Sequence, residues 1–436
     1  MVKPIRKAIS VFLCLCVCMA IAINALAGEI FHVEPKPLEA PDYSESDDTV
    51  HAVANGANAF AFRLSAELLK DVGAQSFVCS PYSVWLPLAA LVNATNEDNK
   101  AALCSAIGAA GITEADVNAA ASRIVYGLTQ AGNEEYEAFH NPLKIANAVF
   151  VANDVTLKET FVQTFTDCFR GTAMNVDFSS QQAVDVVNQW ASEQTDGLIP
   201  ELVQQFDPMT VATIANAIYF SDGWRWAFAP NETKADVFYA PNGDTMAMFM
   251  LHDGVGLPYY EDDRIQVTHL GFCNGGGMYI LLPKEETAVE FLSSMNNDYF
   301  MQIESAVDYR MGKLLLPRFS IDTDVRGLKE VLEALGVPLF DAKSAPLTDG
   351  IIEEDMPVWL SNALHKAIIR VDEKGTTAAA VTATILVTGA MSEPTKAFEM
   401  VCSKPFAFIL YERSYKGNSQ ILFTGIVQDT SGSAAS

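Results

Sequence analysis

Basic side chains are scarce in this chain. Its 28 lysines and arginines face 54 aspartates and glutamates, which leaves a formal charge of −26. A surface of that sign repels phosphate backbones, so nucleic-acid binding is not expected. It also argues against a site for an anionic polysaccharide. Histidine is scarcer still, and His32, His51, His140, His252, His269 and His365 show no metal-ligand spacing. Cysteine supplies no framework. Cys14, Cys16 and Cys18 fall in the N-terminal apolar run, and Cys79, Cys104, Cys168, Cys273 and Cys402 are widely spaced, odd in number and without a C-x-x-C pair. That is neither a zinc pattern nor a disulfide set. They read as small buried hydrophobes, with room for one surface thiol. No H-E-x-x-H, G-x-S-x-G, G-x-x-x-x-G-K-S/T or S-x-x-K occurs, so no local motif marks an enzyme. A triad built from distant residues would leave no such trace. Gly275-Gly276-Gly277 lacks the phosphate-loop pattern and reads as a turn, and Glu261-Asp262-Asp263 reads as a solvated acidic turn.

What is present begins with an export signal. Lys3, Arg6 and Lys7 precede an uncharged run from Ala8 to Ile23, and Ala25-Leu26-Ala27 supplies a small-residue cleavage site. The run is short for a bilayer span of about 20 residues, so residues 1–27 are expected to be a cleaved signal peptide and not an anchor. Residues 28–49, with Pro35, Pro37, Pro41 and the acidic run from Asp42 to Asp48, read as a solvated tether. The mature chain is expected outside the cell, with retention near the cell surface left open by that tether.

From Val50 the chain is globular to about residue 430, with 431–436 a flexible tail. Helical spacing runs from Ala57 to Val72 through Phe60, Leu64 and Leu68. Phe77-Val78-Cys79 is a short strand, and Ser80-Pro81 opens a helix reaching about Asn93, with Ser80 as N-cap. Ile145 to Val151 and Val211 to Phe220 are apolar strands; Leu157 to Phe169 and Val184 to Gln194 are helices. Further strands cover Met246 to Leu251, Ile265 to Leu270 and Met278 to Leu282, followed by the helix Leu328 to Leu335. A long strand, Trp359 to Val371, and a closing hairpin, Lys404 to Leu410 with Ile421 to Val427, complete an α+β reading. Asn93 and Asn231 head glycosylation sequons.

One stretch lacks charge and proline altogether. After Asp372-Glu373-Lys374-Gly375, residues Thr376 to Met391 carry neither. Alternate positions Thr376, Ala378, Ala380, Thr382 and Thr384 are small, so one face could lie flat against a packed core. Taken alone, this is a buried strand or an alanine-rich helix. Glu373-Lys374-Gly375-Thr376-Thr377-Ala378-Ala379-Ala380 resembles the hinge of a serpin reactive-centre loop, although Val381 departs from the small residue usual there. Four further segments are similar to the same family: Ser80-Pro81-Tyr82-Ser83; Asn216-Ala217-Ile218-Tyr219-Phe220 with Gly223 and Trp224; Leu316-Pro317-Arg318-Phe319; and Pro405-Phe406 with Ile421-Leu422-Phe423.

The resemblance implies a single serpin domain over 50–430. It would have a large mixed central sheet, two smaller sheets, surrounding helices and an exposed loop over 373–396. It assigns Glu373, Lys374, Gly375, Thr376, Ala378, Ala379 and Ala380 to the hinge. Ser80, Ser83, Asn216, Trp224 and His365 become the shutter and breach residues where the sheet must part, with His365 helping to lock the strands to Asn216. By family counting the reactive bond is Gly389–Ala390, with Thr388–Gly389 and Met391–Ser392 still open. The implied activity is suicide-substrate inhibition of a serine protease, not catalysis, by a monomer with no cofactor or metal. No lysine or arginine lies between Gly375 and Met391, so the target expected is elastase-like or subtilisin-like. The region Asn96 to Ala121 has only Lys100 as a basic residue, so heparin activation is not expected. A non-inhibitory binding serpin and an inhibitor of cysteine proteases are the competing readings. The acidic, exported character suggests a microbial source.

Overall fold

A computed structural model describes residues 32–35, 48–129, 143–273, 275–353, 356–376, 397–413 and 419–431. The helices used below are α1 (Asp48–Leu68), α2 (Pro81–Leu91), α3 (Glu97–Ala106), α4 (Glu114–Thr129), α5 (Glu159–Phe169), α6 (Gln181–Gln194), α7 (Ala288–Ser294), α8 (Asn297–Ala306) and α9 (Leu328–Ala334). The first strands are β1 (His32–Val33), β2 (Phe77–Cys79), β3 (Leu143–Ala152), β4 (Gly171–Val176), β5 (Ala212–Phe220), β6 (Asp222–Gly223), β7 (Lys234–Phe238) and β8 (Thr245–Glu261). They are followed by β9 (Ile265–Gly271), β10 (Gly277–Pro283), β11 (Asp308–Pro317), β12 (Phe319–Asp324), β13 (Leu360–Val371), β14 (Gly375–Thr376), β15 (Phe398–Val401), β16 (Phe406–Arg413) and β17 (Ser419–Val427).

The main sheet runs β1-β4-β3-β5-β13-β14-β6, with β12 on β13. Its pairings are mixed: β3 and β4 are parallel, β3 and β5 antiparallel, β5 and β13 parallel. The other strands form one continuous sheet, β15-β11-β8-β9-β10-β16-β17-β2, with β7 on β8. Two smaller sheets were expected. They merge because the 17-residue β8 pairs with β7 and β11 along one part and with β9 at its end.

β5 is buried along almost its whole length because α2 lies under one face and α6 over the other. That is why Ala212 to Phe220 reads as an apolar run and not as an alternation. α1 starts at Asp48, earlier than its large apolar residues suggest. Val50, Val53, Ala54 and Ala57 extend the buried stripe backwards at helical spacing. At the other end of the expected tether, His32 and Val33 form a strand; residues 1–31 and 36–47 lie outside the described residues. Among the described residues the cysteines are free, with Cys79, Cys104 and Cys402 buried and Cys168 and Cys273 half-buried. Asn93 and Asn118 exchange amide hydrogen bonds of 2.8 and 2.7 Å, so the first sequon's side chain is already engaged.

Candidate functional site

β5 and β13 lie side by side, paired from Leu360 with Ala212 to His365 with Asn216, with one register shift between Leu360 and Asn362. The pairing stops there, although both strands continue. β14 sits where they part. Thr376 pairs with Val371 of β13 on one side and with Asp222 of β6 on the other, while Gly375 pairs with Gly223. The chain leaving β13 therefore turns back at once into the mouth of the seam. The turn is made by Asp372, whose carboxylate Oδ1 accepts from the backbone N–H of Lys374 at 2.7 Å and of Gly375 at 3.2 Å. Gly375 is required by contact: a Cβ there would stand 2.1 Å from the carbonyl oxygen of Asp222. Thr376 is 1% exposed.

Four residues, Trp224, Arg318, Thr233 and Phe228, hold the start of the hinge. Trp224 donates its indole N–H to the Asp372 carbonyl at 2.9 Å and its backbone N–H to the Lys374 carbonyl at 2.8 Å. The indole itself stacks on Phe272, ring centroids 4.8 Å apart. Glu373 is 4% exposed, and its Oε1 accepts from Arg318 Nη2 at 2.6 Å and Nε at 3.0 Å, and from the Thr233 hydroxyl. Burial alone would raise the Glu373 pKa, but the bonds from Arg318 and Thr233 outweigh it and hold the carboxyl below its usual range. Phe228 N–H caps the Glu373 carbonyl at 2.9 Å.

At the deep end of the seam the expected contact is replaced by another. His365 and Asn216 are register partners, but their side chains bond elsewhere. The Ser80 backbone N–H donates to His365 Nε2 at 3.0 Å, and Ser83 Oγ lies 3.4 Å from Nδ1. Ser83 donates to the Ser80 carbonyl. Its oxygen thus remains an acceptor, which places the ring proton on Nδ1. Asn216 donates instead to Asn147 Oδ1 on β3. The histidine ties β13 to the start of α2, and the asparagine ties β5 to β3. Side chains on parallel neighbours stand beside each other, so register alone did not fix their partners. Ser80 occupies the N-cap position, but its hydroxyl donates to the Leu422 carbonyl at 2.7 Å and makes no capping bond.

A profile of the family described as "Serpin (serine protease inhibitor)" matches residues 55–430. The chain belongs to the serpin family. Mouse alpha-1-antitrypsin 1-2 is 27% identical over 399 residues, covering 90% of this serpin and 93% of the relative. An uncharacterized serpin-like protein of Thermococcus kodakarensis is 30% identical over 286 residues, 65% of each chain. Among solved structures, the native state of the thermophilic serpin tengpin covers 91% of this serpin and 97% of its own chain, with a TM-score of 0.76 at 22% identity. Human thyroxine-binding globulin, solved in complex with thyroxine, covers 88% and 99%, with a TM-score of 0.75 at 22% identity. The same fold thus also carries a protein that binds thyroxine.

The structure brings Glu373, Lys374, Gly375, Thr376 and Trp224 together at one end of the seam, and Ser80, Ser83, Asn216 and His365 at the other. The hinge residues Ala378, Ala379 and Ala380 and the reactive-bond candidates Gly389 and Ala390 lie outside the described residues. Arg318, Thr233 and Phe272 were not singled out from the sequence. Arg318 lies inside a quoted family segment, and the acid it meets is 55 residues away, so only the fold pairs them.

That pairing carries a prediction. Glu373→Lys sets two cations against each other in a pocket that is nearly closed on one side. The native state is expected to lose about 3 kcal/mol or more, read as a lower denaturant midpoint. Arg318→Glu combined with Glu373→Arg should recover a large part of the loss. A double variant no better than the sum of its parts would show that the contact is not energetic.

The buried histidines make stability pH-dependent. His365 is 3% exposed, and burial pushes its pKa down to about 4; His252 and His269 are lowered to about 4, again mainly by burial. Each group is protonated in the unfolded chain at a pH where the native chain excludes the proton. Their contribution is full above pH 6.5 and is lost as pH falls towards 4. Glu412 works in the opposite sense: burial first, then the Asp222 charge, raises it to about 7. The decisive measurement is a difference. His365→Gln is expected to lower stability at pH 8 but to lose about 3 kcal/mol less than wild type between pH 7 and 4. Parallel stability profiles would mean that His365 takes up no proton on unfolding.

Proposed function

We propose that this serpin is an exported suicide-substrate inhibitor of serine proteases with elastase-like or subtilisin-like specificity. The observation that supports the reading most is the position of Gly375 and Thr376, already strand-paired at the mouth of the β5–β13 seam. A protease serine attacks a loop carbonyl, taken as that of Gly389; the Gly389–Ala390 bond breaks, the serine proton passes through the protease's base to the leaving Ala390 amine, and Gly389 stays bound as an acyl-enzyme. The freed segment then enters between β5 and β13, beginning at Thr376, and draws the bound protease along the sheet before water can release it. The uncut chain is thus held by kinetics, its lower-energy state blocked by the closed seam. Arg318, Thr233 and Trp224 hold the hinge in its starting position. The uncharged, proline-free run from Thr376 to Met391 suits entry into a sheet.

Incubation with pancreatic elastase, neutrophil elastase and subtilisin tests the reading. The expected result is a protease–serpin adduct that survives a denaturing gel, together with a released C-terminal peptide whose mass begins at Ala390. Cleavage of the loop by all three enzymes without any adduct would favour a non-inhibitory binding role.

A further inference from the structure

The main sheet does not end at β4. His32 and Val33 pair antiparallel with Met174 and Ala173 on its outer side, and Glu34 accepts a hydrogen bond from the Thr172 hydroxyl at 3.2 Å. β4 itself is Gly171-Thr172-Ala173-Met174-Asn175-Val176, without charge or proline, and all six residues are buried. Its inner side is held by β3 over six register pairs. Such a strand, left as an edge, has every property of a template for another extended chain. It carries none of the usual deterrents, such as an edge lysine, a proline or a bulge. The deterrent is supplied from elsewhere in the sequence. β1 occupies the middle of the edge and sets two polar side chains in contact, His32 with Glu34, along it.

We propose that residues 32–34 are an edge guard that keeps the chain monomeric, and that the β4 edge, once bare, takes an extended strand from a second copy of this chain. The pairing is short, and a two-stranded contact of this size is marginal by itself, so the guard is displaceable. The inference is independent of the inhibitory reading, because it concerns the edge remote from the β5–β13 seam.

The test uses the mature chain with Val33→Pro and Glu34→Ala together, which removes a backbone donor and the bond to Thr172. Light scattering after size exclusion should show a concentration-dependent oligomer, with association at least about tenfold tighter than wild type. Of Ala173 and Met174, the one whose N–H faces β1 should exchange slowly in wild type and fast in the monomeric fraction of the variant, while the other, facing β3, stays slow. A synthetic peptide of residues 29–36 should return the oligomer to monomer. Thr172→Val, which leaves β1 intact, should move association in the same direction by a smaller amount. Adding Thr376→Arg separates this edge from the seam: oligomers that persist support the edge, and oligomers that vanish overturn the proposal. A double variant that stays monomeric with unchanged exchange at both Ala173 and Met174 overturns it equally.

Discussion

Replacing Thr376 with arginine is expected to lower the yield of covalent protease complex by about 100-fold while leaving loop cleavage intact. Thr376 is 1% exposed, between β6 and β13. In the proposed mechanism it is the first residue that must stay in the sheet for the rest to follow. An unpaired charge buried at that level costs several kcal/mol. Each 1.4 kcal/mol slows a step tenfold, so a penalty of about 3 kcal/mol on insertion hands the race to hydrolysis. The variant should behave as a substrate: cut, released and not trapped. Thr376→Ser, which keeps the size and the hydroxyl, should trap almost as wild type does. Complex formed by the arginine variant in undiminished yield would end the insertion mechanism.

The elements that build the seam were legible in the sequence because each combines length with composition. β5 is a run without charge, and β13 leads directly into Asp372 and the hinge. The α+β class and the order of elements follow from such runs. The partners of the hinge were not legible, because they arrive from three separate stretches. Thr233 precedes β7, Phe272 follows β9, and Arg318 joins β11 to β12. Near Glu373 in sequence stand Arg370 and Lys374, yet the cation it meets is Arg318. The N-terminal segment misled for a different reason. Prolines and acids between Glu34 and Asp48 read as solvated chain, and a two-residue strand leaves no periodicity to detect. The start of α1 was hidden by alanine, which carries helical spacing without announcing it. The His365 lock failed as an expectation because adjacent register positions on parallel strands put backbones together, and the imidazole was free to reach α2 instead.

Cutting the loop near Gly389–Ala390 is expected to make the molecule harder to melt, an inversion of what a nick in a surface loop ordinarily does. The reason lies in how little holds the seam. β5 pairs with β3 along its whole length, from Leu143 with Phe220 to Val151 with Ala212, yet it meets β13 only between Leu360 and His365. On the far side β13 is held by β12 from Lys366 to Val371. The two strands therefore keep an incompletely used edge each, facing one another above His365, with Thr376 already paired between β13 and β6 just beyond the end of β5. A freed strand entering there acquires neighbours on both sides, and its small alternate residues meet the packed faces that now bury β5. A net gain of about 5 kcal/mol, comparable to the whole stability of a small domain, would raise the midpoint by roughly 6 °C in a chain of this size. Scanning calorimetry before and after limited cleavage reads it directly. The same cut in Thr376→Arg should give a much smaller rise, because the strand cannot start. A wild-type chain that melts no higher after cleavage would show that the seam does not accept its own loop, and the proposed inhibitor would be reduced to a binding protein with a serpin fold.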